Sequence, residues 1–380
     1  MLIEIHILQN HSPSNLNRDD TGSPKDAFFG GFKRARISSQ CIKRSIRKGV
    51  SFSTPLEDYI GQRTRKMPVY VKEKLMKEHG IEEMQAQAIA EQLVDIGKSD
   101  KKEKKKKEKV KLETQLIFFD RAELDAMVEK SAELCKGEDL DKLTSSQLND
   151  QLKPIMDDVQ RRSVDLALFG RMTTGDFLED VEASMQVAHA IGTAKMDNEY
   201  DFFTAVDDLN VGGDTMEEHG AGHIGDVEFT STTYYKYFNC DFNELQKNLG
   251  GDRDLTEKTI HSFIRAAALS SPTGKQNTFA SHHIPDVLYI EIKEQKIPLS
   301  YANAFVKPVL ANHKRSLTEV SADALMSYIA QVKTAYPIPT TTGYLTLVKD
   351  FKPDGKECKS IDVLADWVIQ EIQQMDKASQ

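Results

Sequence analysis

The sequence has no apolar run near the roughly 18 residues that a membrane span requires, so a soluble fold is expected. It also lacks a basic leader. MLIEIHILQNH opens with an acidic residue where a secretory signal would be positive, and a cytoplasmic location follows as the expectation. Cysteine is scarce: Cys41, Cys135, Cys240 and Cys358 lie far apart and form no CxxC, which suggests neither a zinc site nor a disulfide framework and predicts reduced thiols. No internal repeat and no Ser/His/Asp or Cys/His spacing marks a catalytic centre, and neither cofactor nor metal is expected. Net positive charge is missing too. A formal charge of -9 over 380 residues argues against coating nucleic acid all round, yet leaves room for one local basic face.

Such a face is present. Between Arg18 and Lys48 nine Lys or Arg stand against three Asp, and FGGFKRARISSQCIKRSIRKG carries most of them. Ser38 and Ser39 are candidate N-caps, nothing breaks the pattern before Gly49, and a short helix is predicted. At 100° per residue Gln40, Lys43, Arg44, Arg47 and Lys48 share an arc of about 140°, with Cys41, Ile42, Ser45 and Ile46 opposite. One side can pack on a sheet while the other presents a row of cations to phosphates, aided by Ser38, Ser39 and backbone N–H groups at the helix start. Lys25, Lys33, Arg34 and Arg36 extend the cluster, and the paired glycines allow close backbone approach. A solvated basic helix is the plainer reading. Against it stands the near absence of neutralising acids, since like charges this dense destabilise unless an anion binds.

Around this helix the chain reads β-α-β-β-α-β. LIEIHIL alternates Ile3, Ile5 and Ile7 with Glu4 and His6, a half-buried strand. Further strands are predicted at 181–191, 226–238 and 287–292, and a second helix at TIHSFIRAAAL. This is the order of a ferredoxin-like fold, which also underlies the RNA recognition motif, and the fold class is α+β. Residues 1–54, 166–191 and 226–380 would form this body, interrupted by a polar helical module at 55–165 and an insertion at 192–225. Two helices near SADALMSYIAQVK and SIDVLADWVIQEI would pack outside, with the sole tryptophan, Trp367, in the second. The Lys-rich run within 98–111 has no apolar period and is expected as a disordered or weakly helical loop.

Other motifs are weaker. SPTGKQNT lacks the first glycine and the Ser/Thr of a phosphate loop, though Lys275, Gln276 and Asn277 remain possible phosphate or base contacts. HGAGH (219–223) has no third ligand at a characteristic spacing and reads as a loop tip. LNRDD sets Asp19 and Asp20 beside Arg18, a salt-bridged loop or an acid pair for nuclease chemistry. Met172, after Gly170 and Arg171, lies in a polar stretch, and Phe202 and Phe203 lie among acids. The Phe pair is either a small local core or a wedge between bases.

The stretches HILQNHSPSNLNRDD, KDAFFGGFKRARISSQCIKRSIRK, VDLALFGRM, MQVAHAI, DFFTAVDDL and PLSYANAF, in this order to about residue 310, resemble the CasC family, backbone subunits of the type I-E CRISPR Cascade complex. The resemblance implies a chain shaped like a right hand: a palm related to the RNA recognition motif, helical fingers (55–165) and an extended thumb (192–225). Several copies would stack along one CRISPR RNA, grip its backbone and kink it at every sixth nucleotide so that the guide pairs with target DNA. Other Cascade subunits would be partners, and no hydrolysis is implied. By the same resemblance Lys25, Ser38, Gln40, Lys43, Arg44 and Arg47 contact phosphates, Met172 sits under the displaced nucleotide, and Phe202 with Phe203 forms the thumb wedge, flanked by Thr204 and Val206; Arg171 is a further candidate. Family members often have Trp-Phe where this chain has Phe-Phe. Two alternatives are carried: a backbone-type subunit that cleaves guide-bound RNA with Asp19 or Asp20, and a protein-only interaction module.

Overall fold

The computed structural model describes residues 1–94, 112, 114–137, 143–160, 162–173, 177–205 and 223–378. Among these it is a mixed α/β protein with a large mixed sheet and twelve α-helices, and it divides into two compact units. The first holds residues 1–52, 187–239 and 260–380, the second 53–186 and 240–259.

The first unit contains β1 (Leu2–Ser14), β2 (Asp26–Phe29), β3 (Phe32–Ile37), α1 (Ser39–Lys48) and the short α2 (Val50–Ser53) at its edge. The second contains β4 (Gln62–Thr64), α3 (Met67–Glu78), α4 (Glu83–Val94), β5 (Ile117–Phe119), α5 (Arg121–Gly137), α6 (Ser145–Asp158) and α7 (Val164–Phe169). After β6 (Met185–Val187) at the sequence boundary, the first unit resumes with β7 (Ala190–Gly192), β8 (Glu199–Ala205) and β9 (His223–Asp241). The second unit takes in α8 (Phe242–Asn248) and the start of α9 (Arg253–Leu269), and the first unit has the rest of α9, α10 (Gln276–Phe279), β10 (Val287–Lys293), α11 (Leu317–Ala335), β11 (Thr341–Thr346), β12 (Lys356–Glu357) and α12 (Ile361–Ala378).

Eight strands of the first unit follow the path β12-β11-β10-β1-β9-β7-β3-β2, and β8 adds to β9. The pairing is antiparallel from β1 to β10 and from β10 to β11, and parallel from β11 to β12. Trp367 of α12 is buried, and Gly343 of β11 makes room for it: a Cβ there would lie 2.3 Å from the indole ring.

β1 departs from the half-buried pattern that its alternation predicts, because Glu4 and His6 are as buried as Ile3, Ile5 and Ile7. Their face is filled by tyrosines instead of water. Tyr237 donates to Glu4, and the His6 Nδ1 and Tyr235 hydroxyl lie 2.8 Å apart. Tyr289 and Tyr301 donate to Glu291 at 3.1 and 3.0 Å. Lys293 bridges Glu4 and Glu291. The His6 ring packs against all four tyrosines, with centroids 4.7 to 6.2 Å away. The carboxylates here are buried with charged and hydroxyl partners, as the interior requires.

In the second unit α3, α4, α5 and α6 enclose a core of Val71, Leu75, Ile89, Leu93, Met127 and Leu152. Thr144 and Gln147 form a reciprocal capping box at the start of α6. The strand expected over 181–191 shrinks to β6 and β7, because residues 181–184 serve as a strap for α7. Val181 bridges to Arg171, and both the backbone N–H and the hydroxyl of Ser184 donate to the Ala167 carbonyl near the end of α7.

Candidate nucleic-acid interface

Helix α1 forms where the capping pattern puts it. Ser38 is the N-cap, its Oγ accepting from the Cys41 N–H, and Arg47 and Lys48 occupy the last turn, where cations suit the dipole. Gly49 ends the helix with an ordinary φ of -69°, so it is needed for space: a Cβ would meet the Ser270 hydroxyl at 2.1 Å. Ile42 and Ile46 are buried, Gln40, Arg44 and Lys48 are exposed, and Lys43 and Arg47 are half-buried on the same arc. Burial of part of its stem lowers the Lys43 pKa. The preceding loop is laced to the helix start, with Asn17 Oδ1 accepting from the Ser38 N–H at 2.8 Å and the Asn17 carbonyl from the Lys25 N–H at 2.8 Å. That places half-buried Lys25 beside the first turn, where Ser39 also lies.

The upstream part of the basic stretch has a different use. β2 and β3 form a hairpin with Phe29 opposite Phe32, turned by Gly30 and Gly31 at φ 61° and 84°. A Cβ on Gly30 would lie 1.9 Å from the Val306 carbonyl oxygen, so the close approach these glycines allow is to the protein's own backbone. Arg34 corrects the phosphate expectation. It is fully buried, its guanidinium donating to the carbonyls of Gly192, Thr193, Phe305 and Val306 at 2.6 to 3.1 Å, which pins the hairpin to two other segments. Lys33 pairs with Asp26 at 2.8 Å, so an acid does sit in the cluster and raises the Lys33 pKa through that contact. Arg36 is half-buried, donating to the Asp26 carbonyl and lying 2.9 Å from the His189 ring nitrogen.

Arg171 is a second correction. In the second unit it makes a bidentate ion pair with Glu123 at 2.6 and 2.9 Å and donates to the Phe118 and Glu179 carbonyls, buried throughout. Its neighbour Met172 is 91% exposed, so the two adjacent residues divide into a pin and a projecting side chain. Gln276 likewise turns inward. Its amide donates to Pro272 and Ser281 carbonyls and its Oε1 is buried, so it closes the loop, while Lys275 stands half-buried at φ 50°.

Phe202, Phe203 and Thr204 lie on β8, every residue of which is exposed. Among the described residues no local core surrounds the pair; β8 is held by its antiparallel ladder to β9, with Phe202 opposite Asp226 and Phe203 opposite Gly225. The rings differ. Phe203 covers Gly225, where a Cβ would stand 2.7 Å from its ring, whereas Phe202, on the other face with Tyr200, is 67% exposed. Val206, the Lys-rich run within 98–111 and residues 219–222 of HGAGH lie outside the described residues. Asp19 is tied within its own loop, its Oδ1 accepting from the Thr21 N–H, the Thr21 hydroxyl and the Ser23 N–H, and the hydroxyl bond lowers its pKa.

Sequence reasoning missed Lys236. It lies on β9 and is 3% exposed, and it donates to Gln9 Oε1. A lysine inside TTYYKYF is the only signal the sequence gives, and it reads there as an outward strand position.

A large mixed sheet, one helix with a cationic face and a two-stranded arm carrying exposed aromatic rings together define an α/β protein that offers charge and ring surface to a ligand from separate elements. The chain belongs to the family of CT1975-like proteins, whose model matches residues 3–372. None of the curated proteins compared with it matches. Among solved structures it is similar to a chain of a "CRISPR RNA-guided surveillance complex, pre-nicking", with 28% identity, a TM-score of 0.83, and 98% of this chain and 100% of that one covered. A chain of a second "CRISPR RNA-guided surveillance complex" shares the fold at 23% identity and a TM-score of 0.72, with the same coverage.

Proposed function

We propose that this protein is the CRISPR RNA-binding backbone subunit of a type I-E Cascade complex, as its resemblance to the CasC family implies. The observation that carries the proposal is the α1 face joined to a full-length likeness, at 28% identity, to a chain of an RNA-guided surveillance complex. Lys25, Gln40, Lys43, Arg44, Arg47 and Lys48 hold RNA phosphates, with Ser38 and Ser39 at the helix start. They supply affinity without reading sequence, which is left to base pairing with the target DNA.

The strand order β10-β1-β9-β7, with α1 in the connection from β1 to β7 and α9 in that from β9 to β10, supports a ferredoxin-like palm. On that reading 55–165 are the fingers, 192–225 the thumb, and the remainder the palm. Phe202 is the ring that wedges between bases, Phe203 packs over Gly225 on the opposite face of the arm, and Met172 supports the displaced nucleotide from the finger side. Copies stack along the guide in the cytoplasm with other Cascade subunits, and the chain itself hydrolyses nothing. The test is coexpression with a CRISPR RNA and the partner subunits: a ribonucleoprotein with several copies of this chain is expected, and nucleic-acid-free protein refutes the reading. Within it, Lys43→Glu with Arg47→Glu should lower RNA retention far more than charge reversals in the 101–109 run.

A further inference from the structure

The described arm is β8 with the outer part of β9, and it is acidic. Across residues 199–228 the sequence has nine Asp or Glu and no Lys or Arg. Charge of that sign repels phosphate, so RNA binding alone does not account for it. The ladder sorts the described carboxylates by face. Glu199 and Asp201 lie with Phe203 on one face, and Asp226 and Glu228 lie with Tyr200 and Phe202 on the other. Glu228 is half-buried and accepts from the Asn198 amide, whereas Glu199, Asp201 and Asp226 are exposed.

A matching row of opposite sign exists in the same chain. Arg44 and Lys48 are both exposed on α1 and stand one turn apart, a rise of about 6 Å. Glu199 and Asp201, two residues apart on one face of a strand, are separated by about 6.6 Å. Two carboxylates can therefore meet two cations nearly in step, and these cations are the ones assigned to phosphates above. β9 runs unbroken from the buried Tyr235 to the arm, and all seven residues of β8 are paired to it. That ladder fixes the arm relative to its own sheet, so a second copy is the body free to bring its α1 to the arm.

We propose that, in the protein without RNA, the arm of one copy docks on α1 of a second copy, with Glu199 and Asp201 pairing to Arg44 and Lys48 in place of RNA phosphates. The proposal rests on the RNA-binding reading and adds a regulation to it: the arm is a competitor made by the protein itself, which guide RNA displaces. Phe202, on the opposite face, stays clear of this contact. Because the arm of one copy meets a different surface of the next, the contact is heterologous and builds open chains instead of closed pairs. Exposed ion pairs are weak singly and screened by salt, so the hold yields to the more densely charged RNA.

The test uses the full chain stripped of RNA at high salt and followed by sedimentation velocity. Association that grows with protein concentration at low salt and disappears at high salt is expected; a chain that stays monomeric at low salt overturns the proposal. Glu199→Gln with Asp201→Asn should weaken the association about tenfold, whereas Asp226→Asn should not. Equal weakening by both overturns the assigned face. Two surface variants that melt like the parent make the pairing explicit: Arg44→Glu with Lys48→Glu in one chain, and Glu199→Lys with Asp201→Lys in another. Each should be monomeric alone and the two should associate when mixed; no association on mixing overturns the contact. A fluorescent uridine hexanucleotide should dissolve the parent assembly as it binds, and an assembly that persists with the oligonucleotide bound overturns the competition. An oligonucleotide that fails to bind while the mixed chains associate refutes the RNA-binding reading and leaves the protein contact standing.

Discussion

Arg34 and Arg44 lie ten residues apart in one basic stretch, and they should exchange phenotypes when each is replaced by methionine. Arg34→Met keeps most of the side-chain length but withdraws every donor from the carbonyls of Gly192, Thr193, Phe305 and Val306. A hydrogen bond from a charged donor contributes about 1.5 to 3 kcal/mol, and leaving its acceptor buried and unsatisfied carries a further penalty. Relief from burying an uncompensated guanidinium offsets part of this, and the net loss should be about 3 kcal/mol, roughly 10 °C in melting temperature. Arg44→Met removes an exposed cation and should stay within about 0.5 kcal/mol of the parent while weakening RNA binding. Thermal unfolding of the RNA-free chain and oligonucleotide binding at several salt concentrations separate the two. If Arg34→Met melts like the parent and loses RNA, the reasoning is refuted and Arg34 is a ligand residue.

Lys293→Met should destabilise by about 3 to 5 kcal/mol in a denaturant titration, because Glu4 and Glu291 would share a dry site without their bridging cation. A pH dependence follows from Lys236, whose pKa of about 8 lies below its ordinary 10.5. Below pH 8 both folded and unfolded chains hold the proton and the burial penalty is complete. Between about 8 and 10.5 the unfolded chain holds more protons, so stability rises with pH, by about 3 kcal/mol across the window. The denaturant midpoint of the parent should therefore close on that of Lys236→Met as pH rises, and a constant gap counts against it. Phe202→Ala should leave melting unchanged and RNA bound while smearing the regular nuclease-protection pattern; an intact pattern removes the wedge. Replacing Asp19 and Asp20 by Ala should change no RNA cleavage, and metal-dependent cleavage by the parent alone revives the nuclease alternative.

The helix was legible because every signal for it is local. Ser38, the apolar pair Ile42 and Ile46 and the row of cations lie within one short segment, and its geometry needs nothing from the rest of the chain. Glu4 and His6 were misread because alternation says which residues share a face and not what covers that face; the cover comes from Tyr235, Tyr237, Tyr289 and Tyr301, more than two hundred residues away. Arg34 and Arg171 read as RNA-binding candidates for a related reason. A guanidinium satisfies carbonyls as readily as phosphate oxygens, and Phe305 and Glu179 carry no mark in sequence as acceptors. The Phe pair offered two candidates for one role, and only the ladder that sets Gly225 opposite Phe203 separates the ring that lies down from the one that stands out.

β9 is a single strand of 19 residues whose inner part is buried between β1 and β7 and whose outer part carries β8. From Tyr235 in the core to Asp226 opposite Phe202 it measures roughly 30 Å at about 3.3 Å per residue. The position of the exposed ring is thus gauged from the sheet, with no hinge residue along the way. Such a gauge cannot drift by small amounts: one inserted residue between these points shifts Phe202 by a whole step and turns it to the opposite face. Divergence along this strand should favour substitution over insertion, and an engineered pair of inserted residues, which restores the face, should change the reach of the ring without changing its direction.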